Sequence, residues 1–99
     1  PLQVNIIPIN NEYHLEYADQ IKELLIENNI RVTLDDREEK LGYRIREAQT
    51  KKVPYNIIIG NNERDDETIS YRKYGSDDTV TISKEEFIDL LQKEINNKK

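Results

Sequence analysis

Apolar positions come in short runs whose spacing changes along the chain. Residues 2–9 are β-branched and apolar, which predicts a buried strand over Gln3–Pro8. Pro8 lacks an N–H and belongs at the strand's end. Asn10 and Asn11 offer caps for a helix over residues 12–28. In that helix Tyr17, Ala18, Ile21, Leu24 and Leu25 share one arc at 3.6 spacing, with Asp19, Gln20, Lys22, Glu23 and Glu27 mostly outside it. Residues 30–34 alternate, with Ile30, Val32 and Leu34 set against Arg31 and Thr33, as in a strand with one better-buried face.

A second helix is predicted over residues 40–52. Its apolar stripe is Leu41, Ile45 and Ala48, flanked by Lys40, Arg44 and Lys51 on one side and by Gly42, Arg46 and Gln49 on the other. Val53-Pro54 ends it, because the residue before proline avoids the α region. Tyr55–Ile59 is the most hydrophobic run and should be a central strand. Gly60-Asn61-Asn62 is a turn signal, and the charged residues 63–67 read as a loop. Residues 68–74 alternate as a strand, with Ile69, Tyr71 and Lys73 on one side and Ser70, Arg72 and Tyr74 on the other. A short edge strand is expected at 79–82. Ser83 opens a last helix with a capping-box pattern through Glu86; Phe87, Leu90, Leu91 and Ile95 form its core face, and residues 96–99 should fray.

The order β-α-β-α-β-β-(β)-α predicts a three-layer α/β/α domain on a mixed, mostly parallel five-stranded sheet. The chain's 99 residues suit one domain. The abrupt start on a strand suggests a domain excised from a longer protein.

Composition narrows the function. With 20 acidic and 15 Lys or Arg residues the net charge is -5, which argues against a general nucleic-acid binder. A local basic face remains compatible with that total, since screening confines each patch to about 8 Å. There is no cysteine, which removes disulfides and thiol chemistry and fits a reducing compartment. No apolar run approaches the roughly 20 residues a membrane span needs, and no signal peptide is visible.

Catalytic motifs are few. His14 is the one histidine and reads as structural. No phosphate-cradling glycine loop is present. Asp35-Asp36 at a strand end is a pair of the type that binds Mg²⁺ in phosphoacceptor domains. Those domains also need acidic residues after the first and third strands, where this chain has Pro8-Ile9-Asn10 and Gly60-Asn61-Asn62. One Asp is therefore expected to cap the turn and the other to face Arg37 or Lys40, with no metal site. The basic helix has two readings: a solvated face with pairs such as Arg44–Glu47, or a surface for RNA. For the second, Arg72 and Tyr74 on the fourth strand would share one end of the sheet with the strand-end loop, where open α/β domains bind ligands. Arginine suits a guanine edge, and tyrosine stacks on splayed bases.

The segment DDREEKLGYRIREAQTKKVPYNIIIG, followed by Glu63 and by Tyr71-Arg72-Lys73-Tyr74-Gly75, resembles the C-terminal anticodon-binding domain of threonyl-tRNA synthetases, of class II. The resemblance covers essentially the whole chain. It implies the class II anticodon-binding fold and tRNA as partner, with neither DNA nor membrane. It also implies a non-catalytic module of a cytoplasmic enzyme. ATP, Mg and Zn would serve only the catalytic domain elsewhere, so no cofactor is expected here. The full enzyme would be a homodimer and the isolated domain a monomer. Threonine anticodons end in G then U, the two bases to be read. Arg46, Glu63 and Arg72 match the family's base-contacting positions. Glu38 stands where the family pattern DRNEK has a base-reading Asn; a carboxylate accepts only, and repels phosphate. Arg37, Lys40, Arg44 and Tyr74 are the candidates for RNA backbone or stacking contacts, with Lys51 and Lys52 as further phosphate candidates. Two alternatives stay open: a paralogous module for another RNA or a protein, and an Mg-dependent phosphoacceptor using Asp35 and Asp36.

Overall fold

A computed structural model describes residues 3–97. Strands β1 (Gln3–Pro8), β2 (Arg31–Leu34), β3 (Tyr55–Ile59), β4 (Thr68–Lys73) and β5 (Val80–Ser83) form one sheet in the order β2-β1-β3-β4-β5. β2, β1 and β3 are parallel, and β3–β4 and β4–β5 are antiparallel. The mixed sheet and the central place of Tyr55–Ile59 match the sequence expectation. The helices are α1 (Asn11–Glu27), α2 (Leu41–Thr50), α3 (Asn61–Asp66) and α4 (Lys84–Asn97).

The two faces of the sheet differ in chemistry. One carries Val4, Ile6, Tyr55, Ile57, Ile59, Ile69 and Tyr71, and packs against Tyr17, Ala18, Ile21 and Leu25 of α1 and Phe87 and Leu91 of α4. Tyr55, Tyr71 and Phe87 form an aromatic cluster with centroids 5.3–6.0 Å apart, Tyr55 and Phe87 edge-on at 88°, a geometry that suits the ring quadrupoles. The opposite face mixes buried Ile7 and partly buried Ile58 with polar side chains. Thr33 Oγ1 donates to Asn5 Oδ1 at 2.9 Å, and Asn5 lies beside buried Asn56. Among the described residues α2 is the helix laid across this face, because successive right-handed crossovers from β1 to β2 and from β2 back past β1 to β3 must use opposite sides.

Caps explain the helix limits. Asn10 Oδ1 accepts from Glu12 N at 2.9 Å, and Asn29 beyond α1 takes the left-handed conformation (φ 62°) that asparagine tolerates. Ser83 and Glu86 close the expected reciprocal box at the start of α4. His14 is buried, between the Asn10 N–H and Asn61 Oδ1, as a structural histidine should be.

Three expectations need correction. Residues 63–67 are not a loop: α3 covers most of them, entered from Gly60, whose N–H donates to Glu63 Oε1 at 2.7 Å. With glycine at the cap only half a capping box is visible in the sequence, so the signal was weak. In α4, Leu90 and Ile95 are exposed, because the inward arc runs instead through Phe87, Ile88, Leu91 and Glu94, whose carboxylate accepts from the Tyr55 hydroxyl of β3. α4 extends to Asn97, inside the stretch expected to fray; residues 98–99 lie outside the described residues.

Truncating the aromatic cluster should therefore cost far more than truncating the end of α4. Phe87→Ala is expected to lower unfolding free energy by about 3–5 kcal/mol, and Ile95→Ala by less than about 1 kcal/mol, as read by urea denaturation.

Candidate nucleic-acid interface

Charge divides between the layers. α1 carries Glu12, Glu16, Asp19, Glu23 and Glu27 against Lys22. α4 adds Glu85, Glu86, Asp89 and Glu94 against Lys84 and Lys93. The other side holds Arg44 and Arg46 of α2, Lys51 and Lys52 just beyond it, Arg37 and Lys40 before it, and Arg31 and Arg72 on that face of the sheet, with Asp35, Asp36, Glu38, Glu39, Glu47 and Glu63 among them, a small cationic excess. The net charge of -5 is thus an average over an acidic α1/α4 side and a cationic α2 side.

Arg44, a candidate for an RNA backbone contact, is turned into the fold. It is 2% exposed, and its guanidinium is spent inside the fold. Nη1 donates to Pro8 O at 2.8 Å and to Asp35 O at 3.1 Å, and Nη2 donates to Ile9 O at 3.3 Å. The physical reason lies in its spacing: Arg44 is three residues from Leu41 and four from Ala48, inside the arc that faces the sheet. Its partners are the carbonyl ends of β1 and the loop after β2. Those adjacent strands send their helices to opposite faces, which defines the crevice where open α/β sheets admit ligands. Here the chain fills that crevice with its own side chain.

Arg37 is also committed within the chain. Nε and Nη2 donate to Asp35 Oδ1 and Oδ2 at 2.8 and 2.9 Å, and Nη2 donates to Glu47 Oε1 at 2.5 Å. The guanidinium lies 5.9 Å from the Tyr43 ring centroid. Its hydrogen bonds hold the Asp35 and Glu47 carboxyls below their usual range. Asp35 thus faces Arg37, one of the two partners expected for the acidic pair. The expected Arg44–Glu47 pair is absent among the described residues, because Arg44 points inward and Glu47 meets Arg37 and Lys51.

The remaining candidates lie on the α2 side but not at one end of it. β4 runs antiparallel to β3, so Arg72 lies opposite Asn56 near the start of β3, and Tyr74 N donates to Pro54 O. Glu38 and Lys40 sit at the other end, exposed beside a cavity of about 350 Å³ that Arg44 also lines. The expectation that Arg72 and Tyr74 share the strand-end loop's end of the sheet is overturned by that antiparallel return. Glu63 links the two ends: its Oε2 accepts from Ser70 Oγ at 2.7 Å, and Ser70 is two residues before Arg72 on the same face. Arg46 is exposed on α2, and Gln49, on the same flank, accepts from Gly75 N at 3.4 Å in the turn after β4. Neither Arg46 nor Lys40 forms an ion pair among the described residues. Arg72 Nε donates to Thr79 Oγ1 at 3.0 Å, and Tyr74 is about half exposed. Sequence reasoning missed Ser70, which donates to Glu63, and Thr81, which bonds Ser70; the alternation of β4 put Ser70 on the right face but gave it no chemistry.

The fold and this face define an α/β module whose mixed, slightly cationic side is open around a single helix. The model of the family described as "Anticodon binding domain" matches residues 3–94, and the chain belongs to that family. Its sequence is similar to the threonine–tRNA ligase of Oceanobacillus iheyensis, 46% identical over 99 residues, the whole chain and 15% of that protein. The threonine–tRNA ligase of Staphylococcus aureus is 48% identical over 99 residues, with the same coverage. The chain therefore spans about a seventh of the length of the curated relatives it matches. The crystal structure of the RNA binding domain of threonyl-tRNA synthetase from Cryptosporidium parvum superposes with a TM-score of 0.87 over 94% of this chain and 23% of that one, at 22% identity; this likeness supports the fold.

Two consequences can be measured. Arg44→Ala should destabilise the domain by about 3 kcal/mol, since three carbonyls lose a charged donor, whereas Arg46→Ala should stay within about 0.5 kcal/mol; thermal or urea unfolding separates them. Asp35 titrates lower in the folded chain than in the unfolded one. Its contribution to stability is present above the unfolded value and lost as pH falls through the folded value. Arg37→Ala removes the cause, so stability of that variant should fall less steeply below about pH 4 than that of the parent.

Proposed function

We propose that the chain is the anticodon-reading part of a threonine–tRNA ligase, and that its α2 side takes up the anticodon loop of threonine tRNA. It reads G and U at the second and third anticodon positions and leaves the wobble base unread. The observation that carries this reading is the common placement of Arg46, Glu63 and Arg72 on the cationic side of an otherwise acidic domain. The identity of the relatives supports it. An Arg fork matches the O6/N7 edge of guanine, and a carboxylate accepts from the N–H groups of guanine or uracil. Lys40, Lys51 and Lys52 serve phosphates, and Tyr74 offers a stacking face. Arg37, held by Asp35 and Glu47, contributes to the fold more than to RNA. Glu38, exposed by the cavity above Arg44, turns a family amide into an acceptor, which weakens any contact with phosphate there.

Threonine activation with ATP, and the Mg and Zn that go with it, belong in this reading to a catalytic domain outside the chain, which needs no cofactor of its own. The ligase works in the cytoplasm as a homodimer through that other domain.

Titrating anticodon stem-loops at fixed salt tests the reading. A loop with G and U at the second and third positions should bind at least tenfold more tightly than loops mismatched at either. Equal binding would refute it and favour a paralogous module for another RNA. Arg72→Ala should cost about 1–3 kcal/mol selectively on the cognate loop, with an unchanged salt slope; a uniform loss with a smaller slope would make Arg72 a phosphate contact.

A further inference from the structure

Glu63 is held at both of its carboxylate oxygens. Oε1 accepts from the Gly60 N–H and Oε2 from the Ser70 hydroxyl, each at 2.7 Å. Ser70 Oγ in turn lies 2.7 Å from Thr81 Oγ1. A serine has one hydroxyl proton. With that proton given to the carboxylate, Ser70 can only accept from Thr81, so the Thr81 hydroxyl is the donor. The chain of hydrogen bonds therefore has one polarity, from Thr81 to Ser70 to Glu63.

Three elements converge to build it. Glu63 is in the first turn of α3, Ser70 is 5% exposed on β4, and Thr81 stands opposite Ser70 in the β4–β5 register. Gly60 has no side chain with which to cap α3, and a Cβ there would press on the tip of Ile9 at 2.9 Å and on Glu63 Oε1 at 3.3 Å. Ser70 is consequently the side chain that fixes the plane of the carboxylate.

A carboxylate has about four lone-pair sites, so a Glu63 pinned in this way keeps acceptor capacity in one fixed orientation. That matters for base reading. Guanine presents N1–H and N2–H side by side, whereas uracil presents one N3–H. An acceptor pair free to rotate would satisfy several donor patterns; a fixed one rewards the pattern it faces. We propose that Ser70, oriented by Thr81, is a positioning residue that sets the base specificity of Glu63. This rests on the reading of Glu63 as a base contact.

The test uses the intact protein that carries this domain, at a temperature where circular dichroism shows every variant folded. Ser70→Ala, Thr81→Val and Glu63→Gln are titrated with the G–U stem-loop and with loops mismatched at the second or third position. Ser70→Ala should lower the cognate-to-mismatch affinity ratio about five- to tenfold, as loss of a hydrogen bond to a charged group allows. The slope of log K against log salt should not change, since no phosphate contact is lost. Thr81→Val, an isosteric change on an exposed strand, should lower the same ratio about two- to threefold and keeps the test available if Ser70→Ala fails to fold. If Glu63→Gln loses discrimination while Ser70→Ala and Thr81→Val keep it, the positioning role is overturned and the reading of Glu63 stands. If none of the three changes the ratio, the reading of Glu63 falls as well. A loss of affinity equal on all loops would also overturn the proposal, since it marks Ser70 as purely structural.

Discussion

The Arg44 guanidinium is the contact on which the α2 side is built. The sheet face under α2 is mixed: Ile7 and Val53 are buried there with Ala48 and parts of Leu41 and Ile45, but Asn5, Thr33 and Asn56 lie among them, so apolar burial alone is a thin anchor for the helix. What secures the helix start is a buried cation donating to the carbonyls of Pro8, Ile9 and Asp35. Carbonyls at the ends of parallel strands are acceptors without ladder partners, and a planar fork satisfies several at once. The same contact closes the crevice between β1 and β2. In the proposed reading, recognition lies not at the strand ends, where such folds usually bind, but on the flank of α2 that faces β3 and β4.

That displacement gives the charge distribution its sense. The acidic side chains of α1 and α4 sit over the apolar face, and on that side they would repel phosphate. The cations of α2, β2 and β4 surround the opposite face. Among them the commitments differ. Arg44 and Arg37 are bound within the chain, whereas Arg46 and Lys40 are not ion-paired among the described residues. A guanidinium already donating to two carboxylates has little left for a ligand, so the paired arginines hold the scaffold and the unpaired cations are available for RNA.

Much of this was legible in the sequence. The strand runs, the α1 stripe, the asparagine cap and the serine capping box rest on local periodicity and local hydrogen bonds, and they stand as expected. Arg44 was not legible because periodicity put it only on the flank of the apolar stripe and its charge argued for solvent; the carbonyls brought in from β1 and the β2 loop are what turn it inward. α3 was missed because a glycine at the cap shows half of the usual box. The end-to-end separation of Arg72 from Glu38 follows from an antiparallel return that the sequence implied but did not orient. Ser70 and Thr81 read as ordinary strand residues, since their hydroxyls acquire a role only where α3 delivers Glu63 to them.

Amide chemical shifts of the isotopically labelled domain, followed during titration with a threonine anticodon stem-loop, test the central claim most directly. The account predicts perturbations at Arg46 and Gln49 on α2, at Glu63 on α3 and at Ser70 and Arg72 on β4, with the exposed faces of α1 and α4 silent. Perturbations centred on α1 and α4, with Arg46, Glu63 and Arg72 unmoved, would contradict it.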